Sequence, residues 1–261
     1  MKRLDAYHEA EEIQNGVYRI SEGGFVNMYL VIGSEKALLI DNGCGAGDMI
    51  AAVRQLTDKP LIFAATHNHP DHIGAAGQLG TIYMDPDDLA DIYFTAFGPA
   101  ASRRMCDHGK MEYNPDSEKD FEILPITDET VFDLGGRKLV TEKLPGHTAG
   151  CRIFIDHENK LIVSGDAVNL YMFLQRPGGL TVEEWLRHTD SIVNYLKNGY
   201  SSWYGHGDGK QPLEQVEKII GYGKELIRMK KAGELRNDEG MYPEDSLPRV
   251  YYRTDRILSG N

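Results

Sequence analysis

Apolar and polar positions divide the chain into short runs. Residues 16–20, 25–32 and 37–40 are rich in Val, Ile, Tyr and Leu and are separated by Gly23-Gly24 and Gly33-Ser34. They predict an opening β-meander. Ile50, Val53 and Leu56 recur at helical spacing, so 48–56 reads as a helix. The apolar run 61–65 reads as a buried strand, and 81–84 as another. Asp85-Pro86-Asp87-Asp88 places acids where a helix start favours them. Leu89, Ile92, Tyr93, Phe94 and Phe97 would form one stripe, more suited to helix core than to a lid, and Gly98-Pro99 would stop that helix. Residues 107–120 are polar and read as loop.

Strand patterns return at 122–124, 130–132, 138–143, 152–155 and 161–164, with turns at Gly135-Gly136 and His157-Glu158-Asn159. Residues 181–196 read as one helix, with Thr181 as cap and Glu184 completing a capping box. Residues 212–231 read as another, and 250–258 as a last strand. Two strand-rich blocks, each followed by helices, predict an α/β (α+β) sandwich of sheets covered by helices. The chain reads as one domain over 1–261, with an insertion of different character at about 85–120.

Composition narrows the classes. The 261 residues carry 28 Lys plus Arg against 40 Asp plus Glu, a net charge of −12. That balance disfavours a non-specific nucleic-acid binder. No apolar run suggests a membrane span, and the acidic start lacks a signal-peptide core, so a cytoplasmic location is expected. Three Cys (Cys44, Cys106 and Cys151) do not make a disulfide scaffold and read as small, reduced, partly buried residues. Nine His are many for this length.

Five of them stand in chemically loaded contexts. Thr66-His67-Asn68-His69-Pro70-Asp71-His72-Ile73-Gly74 follows the 61–65 run directly. If the strand stays extended, His67 and His69 project to one side. Three imidazoles and a carboxylate so close together make a poor core and a good metal site. Three more candidates sit beside glycines after strands: His147 in Pro145-Gly146-His147, Asp166 in Ser164-Gly165-Asp166, and His206 in Tyr204-Gly205-His206. His8, His108, His157 and His188 read as surface or helix residues.

The order and spacing of these motifs resemble the metallo-β-lactamase fold superfamily. Residues 66–74 resemble its HxHxDH signature, and His147, Asp166 and His206 match its later motifs in order. Asp41 resembles its early structural Asp. The resemblance implies a four-layer αββα sandwich and a dinuclear metal site. His67, His69 and His147 would hold one ion, and Asp71, His72 and His206 the other. Asp166 would bridge them. The ions would be two divalent metals, zinc first, with iron or manganese as alternatives.

It further implies a hydrolase acting through a metal-bridging hydroxide on a small-molecule ester, thioester, lactone or related bond, in the glyoxalase II-like or lactonase-like branch. Asp71 would orient the nucleophile and hand on its proton. Asn169 and Tyr171, shortly after the bridging Asp, are candidate substrate contacts. The alternative is a mononuclear iron persulfide dioxygenase. A β-lactamase fits less well because of the Asp at 166, and a phosphodiesterase is also a lesser alternative. The expected partner is a small molecule, with no nucleic acid and no membrane, and a homo-oligomer left open.

Overall fold

In the computed structural model, residues 1–89, 92–235 and 237–260 are described, without the side chains of 92–97. Two sheets face each other. The first has eight strands in sequence order: Lys2–Arg3, His8–Gln14, Val17–Glu22, Val26–Ile32, Ala37–Ile40, Leu61–Ala64, Thr81–Met84 and Glu122–Pro125. It is antiparallel through Ala37–Ile40 and parallel beyond. The second has five, with Ser201–Tyr204, Leu161–Gly165, Arg152–Asp156, Lys138–Lys143 and Val131–Asp133 side by side.

Three buried clusters define the layers. Val17, Tyr29, Val31 and Ile40 of the first sheet meet Phe132, Leu139, Phe154 and Val163 of the second. Ile20, Met28, Leu30 and Leu39 alternate with them along the strands and pack instead on Met49, Ala52 and Val53 of the helix Met49–Arg54. On the far side, Ile153, Ile155 and Ile162 meet Trp185, Ile192, Val216 and Ile219 of the helices Val182–His188, Asp190–Lys197 and Leu213–Lys231. The period-two alternation of each strand therefore feeds two different interfaces, and the result is the four-layer αββα sandwich. Among the described residues no helix is long and apolar enough to cross a membrane.

Several elements differ from the sequence reading. The insertion helix runs Ile92–His108 through Gly98-Pro99 rather than stopping there. It is held from outside: Ser102 Oγ donates to Pro70 O at 3.1 Å, and Cys106 Sγ to Cys44 O at 3.6 Å. Tertiary anchoring thus outweighs the hydrogen bond a proline removes. Leu89 is 38% exposed; the side chains of Ile92, Tyr93, Phe94 and Phe97, on which the apolar stripe depends, lie outside the described residues. The segment 107–120 contains a 3-10 turn at Pro115–Glu118. The 181–196 helix is two helices sharing Thr189 as cap, although its predicted capping box is present. The last strand ends at Arg253, and it joins Glu239–Tyr242 and Tyr171–Phe173 in a third sheet.

His8 is buried, not a surface residue. Its Nδ1 lies 2.8 Å from Asp5 and its Nε2 3.5 Å from buried Glu22. Glu22 also accepts the N–H groups of Cys44 and Ala46, so this cluster ties the first strands to the 41–46 loop. Burial alone would lower the pKa of His8; the carboxylates of Glu22 and Asp5 outweigh it and raise the value above 6.5. The stabilisation is fully present below the unfolded value and is lost as pH rises through the folded one. His8→Gln is therefore expected to cost about 1–3 kcal/mol near pH 6. Its deficit should shrink towards pH 9. Urea melts of both proteins across that range measure it, and a pH-independent difference would rule the charge pair out.

Candidate active site

The strand Leu61–Ala64 ends at one rim of the sandwich, and the chain beyond it supplies the first donors. His67 and His69 come from the stretch beyond the strand, where the chain bends at Thr66 and His67 rather than staying extended. Asp71 and His72 come from the short helix Pro70–Ile73, for which His69 is the N-cap position. His147 follows the strand Lys138–Lys143, Asp166 ends Leu161–Gly165, and His206 follows Ser201–Tyr204. All seven predicted donors meet at this rim. Donor atoms of His67, His69 and His147 lie within 4.8 Å of one another, as do those of His67, His72 and Asp166, and those of Asp71, His72 and His206.

Two glycines make the convergence sterically possible. A Cβ at Gly165, where φ is +50°, would sit 2.2 Å from Thr66 Oγ1. A Cβ at Gly205 would sit 2.5 Å from the His72 ring and 2.6 Å from Asp166 Oδ1. The strand ends close on the cluster only because these positions lack side chains.

His69 points its Nδ1 inward, 2.8 Å from His147 Nε2, but the other four imidazoles are oriented through an Nδ1 facing away from the centre. His72 Nδ1 lies 2.8 Å from Asp41 Oδ2. His147 Nδ1 lies 3.0 Å from the carbonyl of Phe173, and His206 Nδ1 2.8 Å from that of Phe25. His67 Nδ1 lies 3.0 Å from Thr66 Oγ1. Their Nε2 atoms turn inward, the arrangement of metal-ligating histidines. Among the described residues, His67 Nε2, His72 Nε2 and Asp166 Oδ1 are buried with no hydrogen-bond partner. Buried polar atoms left so are costly, and a cation would satisfy all three. The donor set, neutral nitrogen and carboxylate oxygen, suits zinc, iron or manganese. The residues therefore fit a divalent metal.

The electrostatics follow from the crowding. Burial and the neighbouring imidazoles hold His67 and His69 well below their ordinary range, so both stay neutral and able to ligate. Burial also lowers His147. Burial would lower His72 and His206 too, but Asp41, Asp71 and Asp166 outweigh it, lifting His72 to about 9 and His206 to about 10. Burial would raise Asp166, yet His206 and His72 hold it well below the usual carboxylate range.

Asp41 is central to this frame. At φ 61 it also accepts from the Thr66 N–H, at 2.7 Å, and from Thr66 Oγ1. The sequence reading missed Asp88. Buried and raised to about 7 by desolvation, it accepts from Asn68 N, Gly150 N and Thr148 Oγ1, joining the His67–His69 segment to the His147 loop. Its only signal was an acid in what read as a helix start. Of the two predicted substrate contacts, Tyr171 lines the cavity over the cluster and is 40% exposed. Asn169 is buried and accepts from the Tyr171 N–H at 2.6 Å; it is not among the cavity-lining residues. His108, His157 and His188 are exposed, as read, and all three cysteines are free and fully buried.

That cavity has a volume of about 470 Å³. Its floor is His69, Asp71, His147, Asp166 and His206, and its walls include Phe25, Met105, Phe173 and Arg176.

The family model of the metallo-beta-lactamase superfamily matches residues 21–197. The chain belongs to that superfamily. A chicken (Gallus gallus) protein named acyl-coenzyme A thioesterase MBLAC2 is 26% identical over 178 residues, 59% of this chain and 63% of that one. Hydroxyacylglutathione hydrolase GloC of Haemophilus influenzae is 30% identical over 149 residues, 54% of this chain and 66% of that one. The chain thus spans just under two thirds of the length of either relative. The first is named as a thioesterase and the second as a hydrolase. The metallo-beta-lactamase family protein TTHA1429 of Thermus thermophilus shares the fold with a TM-score of 0.64 and 18% identity, over 93% of this chain and all of that one.

Proposed function

We propose that the chain is a divalent-metal hydrolase that cleaves a small-molecule thioester, ester, lactone or related bond. The observation that carries the reading is the meeting of seven donors from four strand ends, three of their buried atoms lacking a hydrogen-bond partner among the described residues. His67, His69 and His147 would hold one cation and Asp71, His72 and His206 a second, with Asp166 facing both. Bound cations of this kind acidify water at neutral pH and polarise the bond to be broken. Asp71, on the cavity floor, would orient the attacking water and pass its proton to the leaving group. No side-chain nucleophile is required.

Arg176 supports a substrate with an anionic group. Its guanidinium lies over the Phe173 ring at 5.0 Å and has no ion-pair partner among the described residues. Its charge reaches His69 and His147 and lowers both. Both relatives are named for thioesters, of coenzyme A and of glutathione, whose leaving thiols carry anionic groups. Arg176→Glu is expected to raise KM for such thioesters about 10–100-fold, the worth of one charged hydrogen bond. An uncharged ester should respond much less. Equal responses in steady-state kinetics would remove Arg176 from recognition.

The test of the whole reading is elemental analysis of the purified chain, then a panel of thioesters, lactones, β-lactams and phosphodiesters. Activity lost to a chelator and restored by one metal, zinc first, is the expected result. One tightly bound iron with oxygen uptake on a persulfide would replace this reading with the dioxygenase one.

A further inference from the structure

A separate hollow lies on the other side of the reaction cavity's apolar wall. This second cavity, of about 230 Å³, opens beyond Phe25 and Met105, which line both. Its other walls are Ala101, Arg104, His108 and Gly109, from the insertion helix and the turn after it. Phe25 is 42% exposed between the two hollows. Its carbonyl is committed to His206, so its backbone has a fixed place beside the donor cluster. The helix is fixed as well. Ser102 Oγ donates to the carbonyl of Pro70, the residue that opens the helix bearing Asp71 and His72. The distance from the reacting centre to the second hollow is therefore built in.

We propose that this hollow is a second subsite of the same site, and that it takes the apolar limb of an elongated substrate, an acyl chain of several methylenes. The chain would enter from the reaction cavity between Phe25 and Met105. The inference rests on the hydrolase reading above. Adjacency to the reaction cavity, through the two shared wall residues, names the occupant: a limb extending from the donors past Phe25 and Met105 meets this hollow next. Its chemistry agrees. Phe25, Ala101 and Met105 give it apolar walls, no carboxylate lines it among the described residues, and Arg104 and His108 are exposed at its rim. A protein partner would need a far larger face than this slot provides. Met105, shared by both hollows, is then the specificity-determining residue.

The test is a homologous series of acyl thioesters, from acetyl to dodecanoyl, with one leaving thiol and the metal-loaded enzyme. In the wild type, kcat/KM should rise about threefold to fourfold per added methylene. It should level off once the hollow is full. Met105→Trp should flatten that slope, and Met105→Ala should move the plateau to longer chains. The slope is the readout, so a general loss of activity does not imitate the effect; thermal melts confirm folding. Equal slopes in all three proteins would overturn the proposal. If no thioester is cleaved, the thioester form of the reaction reading fails on its own. Calorimetric titration with free carboxylates from butanoate to dodecanoate then decides: affinity that grows with length and loses that growth in Met105→Trp supports the subsite, and length-independent binding overturns it.

Discussion

Asp166→Ala is expected to lower kcat/KM by at least about a thousandfold, the upper range for removing one preorganised electrostatic contact. The carboxylate lies 3.1 Å from His206 Nε2, 3.6 Å from His147 Nε2 and 3.7 Å from His72 Nε2. No other side chain reaches three of the imidazoles in this way among the described residues. Its loss deprives His72 and His206 of the charge that sustains them and would remove a donor that faces both proposed cation positions. Metal per chain, measured by elemental analysis after desalting, should fall alongside activity. A folded Asp166→Ala protein with the wild-type metal content would show that the donors have been misassigned.

The second large effect is expected one step away from the inward-facing donor atoms. Asp41→Asn keeps a residue that tolerates the left-handed backbone at φ 61 but removes the charge behind His72. Partners of metal-ligating histidines are worth about 10–100-fold in metal affinity. Competition with a chromophoric chelator should show a loss of that size, with the secondary structure seen by circular dichroism unchanged. An unchanged affinity would mean that Thr66, not Asp41, sets the geometry. Asp41 also receives the Thr66 N–H, so Asp41→Ala would mix this effect with a fold defect.

What was readable in the sequence had a local physical cause. Strands such as Val26–Ile32 and Arg152–Asp156 announce themselves through β-branched and aromatic side chains. The capping box at Thr181 needs only residues three apart. His8–Gln14 was missed because it holds only two apolar residues, Ala10 and Ile13, and its buried first residue is a histidine stabilised by acids from elsewhere. Tyr171–Phe173 and Glu239–Tyr242 were missed because each is too short to show a period and exists only by pairing with Arg249–Arg253.

The same division runs through the site. His67, His69, Asp71 and His72 are dense enough to be read directly, and the glycines beside His147, Asp166 and His206 mark places where backbone must come close. Asp88 gave no such sign. Its role depends on Asn68, Thr148 and Gly150 arriving from two distant loops. The cavity walls are likewise tertiary: Phe25, Met105 and Arg176 are far apart in the chain and adjacent only once the sandwich closes. The sequence by itself determined the fold class and the chemical nature of the donors, because periodicity and residue type are local properties. Only the tertiary structure decided how the donors are oriented and what shape of substrate they face, because orientation and shape are set by contacts between residues remote in sequence.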